Sequence, residues 1–143
     1  MKDAGDVLRA FLDEVWNAHD LSRWDDFVAP DVRLHPPRGA SVPSADYRRM
    51  AEAFLLAFPD LRFEVSRVVA DGDEAAARIR ITGTQTGPWR GLAPTGRKVS
   101  VAGRPWCRVR DGRIVEFWQL FDELGMAWQA GHLADESLLG GHR

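Results

Sequence analysis

The feature that most constrains this chain is a single change of hydrophobic period at Pro59. Before it, apolar residues recur at helical spacing: Val7, Leu8, Phe11, Leu12, Val15 and Trp16, then Tyr47, Met50, Ala51, Phe54, Leu55 and Phe58. Stripes of this kind mark amphipathic helices with one buried side. After Pro59 the period is two, with Leu61, Phe63 and Val65 on one face of a strand and Ala77, Ile79 and Ile81 on one face of another. Helices first and antiparallel strands afterwards read as α+β, not as a doubly wound sheet.

The pattern predicts a helix over about 4–18, ended by Asp20-Leu21-Ser22, and a short one carrying Leu21, Trp24, Phe27 and Val28 that stops near Pro30. Asp31 to His35 alternates and meets Pro36-Pro37, the mark of a short edge strand. Ser44 is placed to cap a third helix ending before Pro59. Strands follow from Leu61, over Ala75 to Thr84, over Val99 to Val109 and over Ile114 to Phe121, with turns at Asp71-Gly72-Asp73 and Asp111-Gly112 and a Gly/Pro-rich loop over 87–96. Asp122 then opens a helix to about Gln129.

Three modest helices cannot cover a long flat sheet, so the sheet must curl. The expected architecture is a curved, mostly antiparallel sheet wrapped around N-terminal helices, cone-shaped with an internal cavity. The final strand, IVEFWQLF, is apolar on both parities and is therefore central and covered on both faces. Helices cover one face only, so a homodimer through the outer face, burying Trp106, Trp118 and Leu120, is expected.

With 143 residues the chain fits one domain, 1–143, whose segment 131–143 is a flexible or packing tail. Its net charge of −2 exerts no pull on nucleic acid or anionic membrane. Cys107 is the single cysteine, so neither an intrachain disulfide nor a multi-cysteine metal site is possible. No apolar run is long enough for a membrane span, and the acidic opening MKDAGDVLRAFLDEV is unlike a signal peptide. A soluble, cytoplasmic protein is expected. Six Trp and seven Phe need a core or a cavity to fill.

The segments FPDLRFEV, VVADGD, ITGTQTGPWRGLAPTGRKVSVAG, RVRDGRIVEFW and FDELG, with EVWNAHDLSRWDDFVAPDVRLHP at the start, resemble the SnoaL-like polyketide cyclase family. That family belongs to the nuclear-transport-factor-like superfamily of α+β cones. The resemblance implies cofactor-free intramolecular aldol closure of a polyketide ester. It assigns the acid/base to an aspartate on the last strand, assisted by a histidine on the neighbouring strand. Counted from Gly112, the aspartate position holds Gln119 and the histidine position holds Pro105. A glutamine amide orients a carbonyl or water but exchanges no proton at neutral pH.

His35, at a position the resemblance turns toward the cavity, becomes the candidate base, or else a half-buried histidine beside Pro36-Pro37. Asp122 is either a second acid/base or the N-cap of the last helix. His19, His132 and His142 read as surface or tail residues without metal-ligand spacing. Parity, once Gln119 faces the cavity, places Val115, Phe117 and Phe121 there and turns Pro105 and Cys107 inward as well, Cys107 serving as small apolar lining. Gln85 is a polar contact at the rim; Trp16, Met50, Phe54 and Phe58 are core or substrate-binding wall. Arg90 and Arg97 either meet an anionic group or are solvated loop charges.

The reading is therefore a cyclase or isomerase of secondary metabolism, formally isomerase or lyase chemistry, acting through an enolate on a hydrophobic polyketide-like molecule without metal or cofactor. The alternative is a non-catalytic binder of such a molecule in the same cavity. An epoxide hydrolase or hydroxylase ranks third, because inward carboxylates flanking an arginine are missing from the pattern. A ketosteroid-isomerase reading fails on Tyr47, the lone tyrosine and a helical one.

Overall fold

The computed structural model describes residues 3–133. Helix α1 (Ala4–Phe11) runs on as a π-helical stretch, Leu12–Asn17, and a 3₁₀ turn, Leu21–Arg23, leads into α2 (Trp24–Phe27). Strands β1 (Val28–His35) and β2 (Val42–Pro43) precede α3 (Ser44–Ala57). Then come β3 (Arg62–Asp71), β4 (Glu74–Thr84), β5 (Lys98–Gly103), β6 (Trp106–Arg110), β7 (Arg113–Trp118) and α4 (Glu123–Gln129). The curved, unclosed sheet has the order β2-β1-β7-β6-β4-β3, with β5 also on β4; only β1 and β7 are parallel. It wraps around α1, α2 and α3 as the α+β reading expects.

Most element boundaries fall close to expectation, and the departures have local causes. The strand before Pro36 begins at Val28, so Pro30 lies inside it. Proline is tolerated there because β2 pairs only with Arg33 and Leu34, leaving that stretch an edge. Pro43, not Ser44, holds the cap position of α3, and no side chain caps it. The strand expected over 99–109 is two, β5 and β6, which pair in succession with the far and near halves of β4 and bend at Arg104-Pro105. The turn at Asp111-Gly112 forms with φ of 52° and 78° at its two residues, the left-handed pair that a tight two-residue hairpin requires.

The core fills the concave side of the sheet. Phe11, at the end of α1, is fully buried with its ring centroid 5.5 Å from Trp24 and 6.0 Å from Phe117. Edge-on aromatic contacts of this kind favour one arrangement of helix on strand. The π-helical stretch turns Leu12 and Trp16 to the same interior and is pinned at its end. There Asn17 donates to the Phe63 carbonyl (2.9 Å) and accepts from the Phe63 amide (2.7 Å).

Candidate functional site

Between the helices and the sheet lies a cavity of about 280 Å³. Leu12 and Trp16 form one wall, Tyr47, Met50, Ala51, Ala53 and Phe54 of α3 another. The sheet contributes Phe63, Ile79, Ile81, Pro105 and Phe117, and the segment after β7 contributes Gln119, Leu120 and Phe121. Pro88, Trp89 and Arg90 close it from the loop between β4 and β5. Among these residues Tyr47 and Gln119 are polar, Arg90 is charged, and none is Asp, Glu or His. The wall is aromatic: Trp16 lies 5.2 Å from Phe63, and Phe54 lies 5.8 Å from Phe121, between ring centroids.

Gln119 and Pro105, which stand at the two positions the resemblance assigns to acid/base chemistry, both line this cavity. Trp16, Met50, Phe54, Phe117 and Phe121 line it too. Other expected site residues lie elsewhere. His35 is on the opposite face of the sheet. Its register partner is Trp118, on which its ring stacks at 5.0 Å, and its Nε2 meets Glu116 Oε2 at 2.8 Å. The expectation that His35 faces the cavity fails because β1 pairs in register with β7: Leu34, opposite Phe117, takes the inward place.

Asp122 is outside the cavity and caps α4, accepting from the Gly125 amide at 2.8 Å. A Cβ at Gly125 would lie 2.2 Å from Asp122 Oδ2, so the glycine is what admits the cap. Gln85 is fully buried beneath the 86–97 loop instead of at the cavity rim. Its Nε2 donates to the carbonyls of Gly87, Leu92 and Ala93 at 3.2–3.3 Å, and its Oε1 lies 2.6 Å from His132 Nε2. His132 is thus part of the loop anchor and not a tail residue; His142 and the rest of the expected tail from 134 lie outside the described residues.

Cys107 faces inward but packs in the core without lining the cavity, and burial pushes its thiol up to about 12, so it is no nucleophile at neutral pH. Phe58 is likewise a core residue behind the wall, 5.4 Å from Phe54 and 5.9 Å from Trp89 between ring centroids. Val115 is buried but not in the lining. A register shift next to Val109 sends Ile114 into the core instead, one residue out of step with Phe117. Trp106, Trp118 and Leu120 are outward or exposed, although Leu120 also touches the cavity mouth because regular pairing ends at Trp118.

Tyr47 is the residue that sequence reasoning passed over. It lines the cavity, is 2 % exposed, and its hydroxyl is the one buried side-chain polar atom among the described residues without a hydrogen-bond partner. Burial raises the phenol well above its ordinary pKa, so it stays protonated and remains a donor. The available signal was a lone tyrosine on the apolar stripe of α3, where phenylalanine would have filled the same space.

The comparisons with known proteins agree with this geometry. AclR from Streptomyces galilaeus, described as a candidate hydroxylase, is 32 % identical over 96 % of this chain and 87 % of its own, with a TM-score of 0.83. IdmH from Streptomyces antibioticus, described as a candidate polyketide cyclase, is 29 % identical over 91 % of this chain and 99 % of its own, at a TM-score of 0.80. A SnoaL-like protein from Jannaschia shares the fold at a TM-score of 0.84 with 24 % identity, over 91 % of this chain and 92 % of its own. No curated protein matches the chain. The family model described as SnoaL-like polyketide cyclase matches residues 6–130, and with its motifs, cone and cavity this chain belongs to that family.

Proposed function

We propose that the protein binds a hydrophobic, polyketide-like small molecule in the cavity and promotes its cyclisation or isomerisation by holding and orienting it, acting in the cytoplasm. The observation that carries this reading is an aromatic-walled cavity whose lining holds donors but no carboxylate or imidazole. Fixing reacting atoms in place is worth up to roughly 7–11 kcal/mol of barrier, so such a cavity can accelerate a ring closure in which solvent water or hydroxide takes the α-proton and water returns one to the new alkoxide. The Gln119 amide is the group to hold a carbonyl or enolate oxygen. The candidate cyclase IdmH, similar over most of both chains, supports ring closure as the reaction class.

A non-catalytic binder is the second reading, favoured by the same lack of a carboxylate or imidazole in the wall. The hydroxylase description of AclR keeps oxygen chemistry third, since the lining contains no carboxylate to activate water. The deciding experiment follows closure of an unclosed polyketide ester as a function of pH. With solvent taking the α-proton, catalysis by orientation gives a rate that rises steadily from about pH 6 to 9, whereas a bell-shaped profile would overturn it. Tight binding with no acceleration would establish the binder. Gln119→Asp supplies the carboxyl group at the position the family resemblance assigns, and should add a pH-dependent rate gain of about 10²–10⁴-fold if the cavity is otherwise competent.

A second copy of the chain is the proposed cover for the outer sheet face. Trp106 is 48 % exposed there, beside Trp118 across the β6–β7 ladder, and Leu120 is 55 % exposed. Aromatic side chains around a paired His35–Glu116–Arg108 cluster suit an interface whose polar groups are already satisfied within each copy.

A further inference from the structure

We infer that Arg90 selects for ligands bearing an anionic group, so that the cavity takes a fused-ring aromatic acid ionised at the end facing the mouth. This rests on the proposal that the cavity binds a hydrophobic small molecule, and it names the class of molecule. Arg90 is the one charged residue in the described lining. Met50 and Leu120, 38 % and 55 % exposed, share the open end with it, while the deeper wall is apolar apart from Tyr47 and Gln119.

The backbone shows that this arginine is held in place at a cost. Trp89 and Leu92 close a two-residue turn, with amide-to-carbonyl distances of 3.0 and 2.8 Å, and φ is +51° at Arg90 and +80° at Gly91. Such a turn favours Asn-Gly, and arginine is an uncommon occupant of its left-handed first position. Here the side chain lies over the Trp89 ring, with Cζ 5.1 Å from the centroid, and meets Glu123 Oε1 at 2.5 Å. The turn does not swing freely. Gln85 binds three of the loop's carbonyls, and a Cβ at Gly87 would come within 2.2 Å of the Leu56 carbonyl oxygen, so the loop is seated on α3.

Arg90 and Glu123 are partly exposed, with side-chain exposures of 48 % and 22 %, so their pairing is weak and one carboxylate readily replaces another. A ligand whose rings fill the aromatic wall would bring its own carboxylate to this point and find the guanidinium already placed. An uncharged ligand of the same shape gains nothing from it.

The test compares 2-naphthoate with 2-naphthalenemethanol, followed by quenching of tryptophan fluorescence, since Trp16 and Trp89 line the cavity. The wild-type protein at pH 8 should prefer the carboxylate by about three- to tenfold. Arg90→Asn, which suits the turn better than arginine does and leaves the Glu123 carboxylate unpaired, should bring that ratio to one or below. Glu123→Gln should raise it by freeing Arg90. A wild-type ratio at or below one, or a preference that survives Arg90→Asn, overturns the inference while leaving the binding reading intact. Binding of neither probe would bring down both.

Discussion

The two faces of β1, β7 and β6 carry opposite chemistry on alternate residues of the same strands. On the concave face, Leu34, Phe117 and Cys107 stand side by side and continue into a cavity wall without a carboxylate or imidazole. On the convex face, Arg33, Glu116 and Arg108 make one row, and His35, Trp118 and Trp106 the next. Histidine, carboxylate and guanidinium are hydrogen-bonded together there, the group one would seek in an active site, yet they turn away from the cavity. A strand's residue types do not locate a site; its phase does. A one-residue step moves a side chain from the reacting space to the outer surface.

Truncating the concave face should produce the largest change. Phe117 contacts Phe11 and Tyr47, with ring centroids 6.0 and 5.7 Å away, and is 6 % exposed. Phe117→Ala should lower unfolding free energy by about 3–5 kcal/mol in urea denaturation. A loss below 1 kcal/mol would mean the wall is not continuous with the core. On the convex face, Trp118→Glu removes the stack on His35 and sets a second carboxylate beside Glu116. If a second copy covers this face, light scattering should show the dimer weakened by about 2 kcal/mol or more. A wild-type chain that is monomeric at micromolar concentration would end the dimer proposal.

Smaller effects sharpen the contrast. Tyr47→Phe deletes a buried, unpartnered hydroxyl, so stability should stay level or rise by about 1 kcal/mol. A loss of that size would show that the hydroxyl has a partner in solution. Glu116 tests the convex cluster through pH. The hydrogen bond from Arg108 holds its carboxyl below the usual range, assisted by His35 and opposed by partial burial. A depressed carboxylate contributes stability above its unfolded value of about 4.3, and the contribution disappears as pH falls through the lower folded value. Glu116→Gln should therefore be less stable than wild type at pH 7, the gap narrowing toward pH 3 in paired denaturation curves. A gap that is constant with pH would place its origin in packing.

Much of this molecule was determined locally and was legible in the residue order. The period change at Pro59, the Asp111-Gly112 hairpin and the stripe through Trp16, Met50 and Phe54 each depend on near neighbours, and the α+β cone follows from them. Gln119 and Pro105 were placed by resemblance, and both do line the cavity. What the order of residues left open was absolute phase. Alternation says that His35 and Leu34 face opposite ways, but pairing with β7, far along the chain, decides which one enters the cone. The register shift that turns Ile114 inward, the break at Pro105, and the burial of Gln85 under its own loop are likewise set by partners distant in sequence. Tyr47 shows the same division: its helical stripe was visible at once, while its unpartnered hydroxyl exists only because tertiary packing surrounds it with rings.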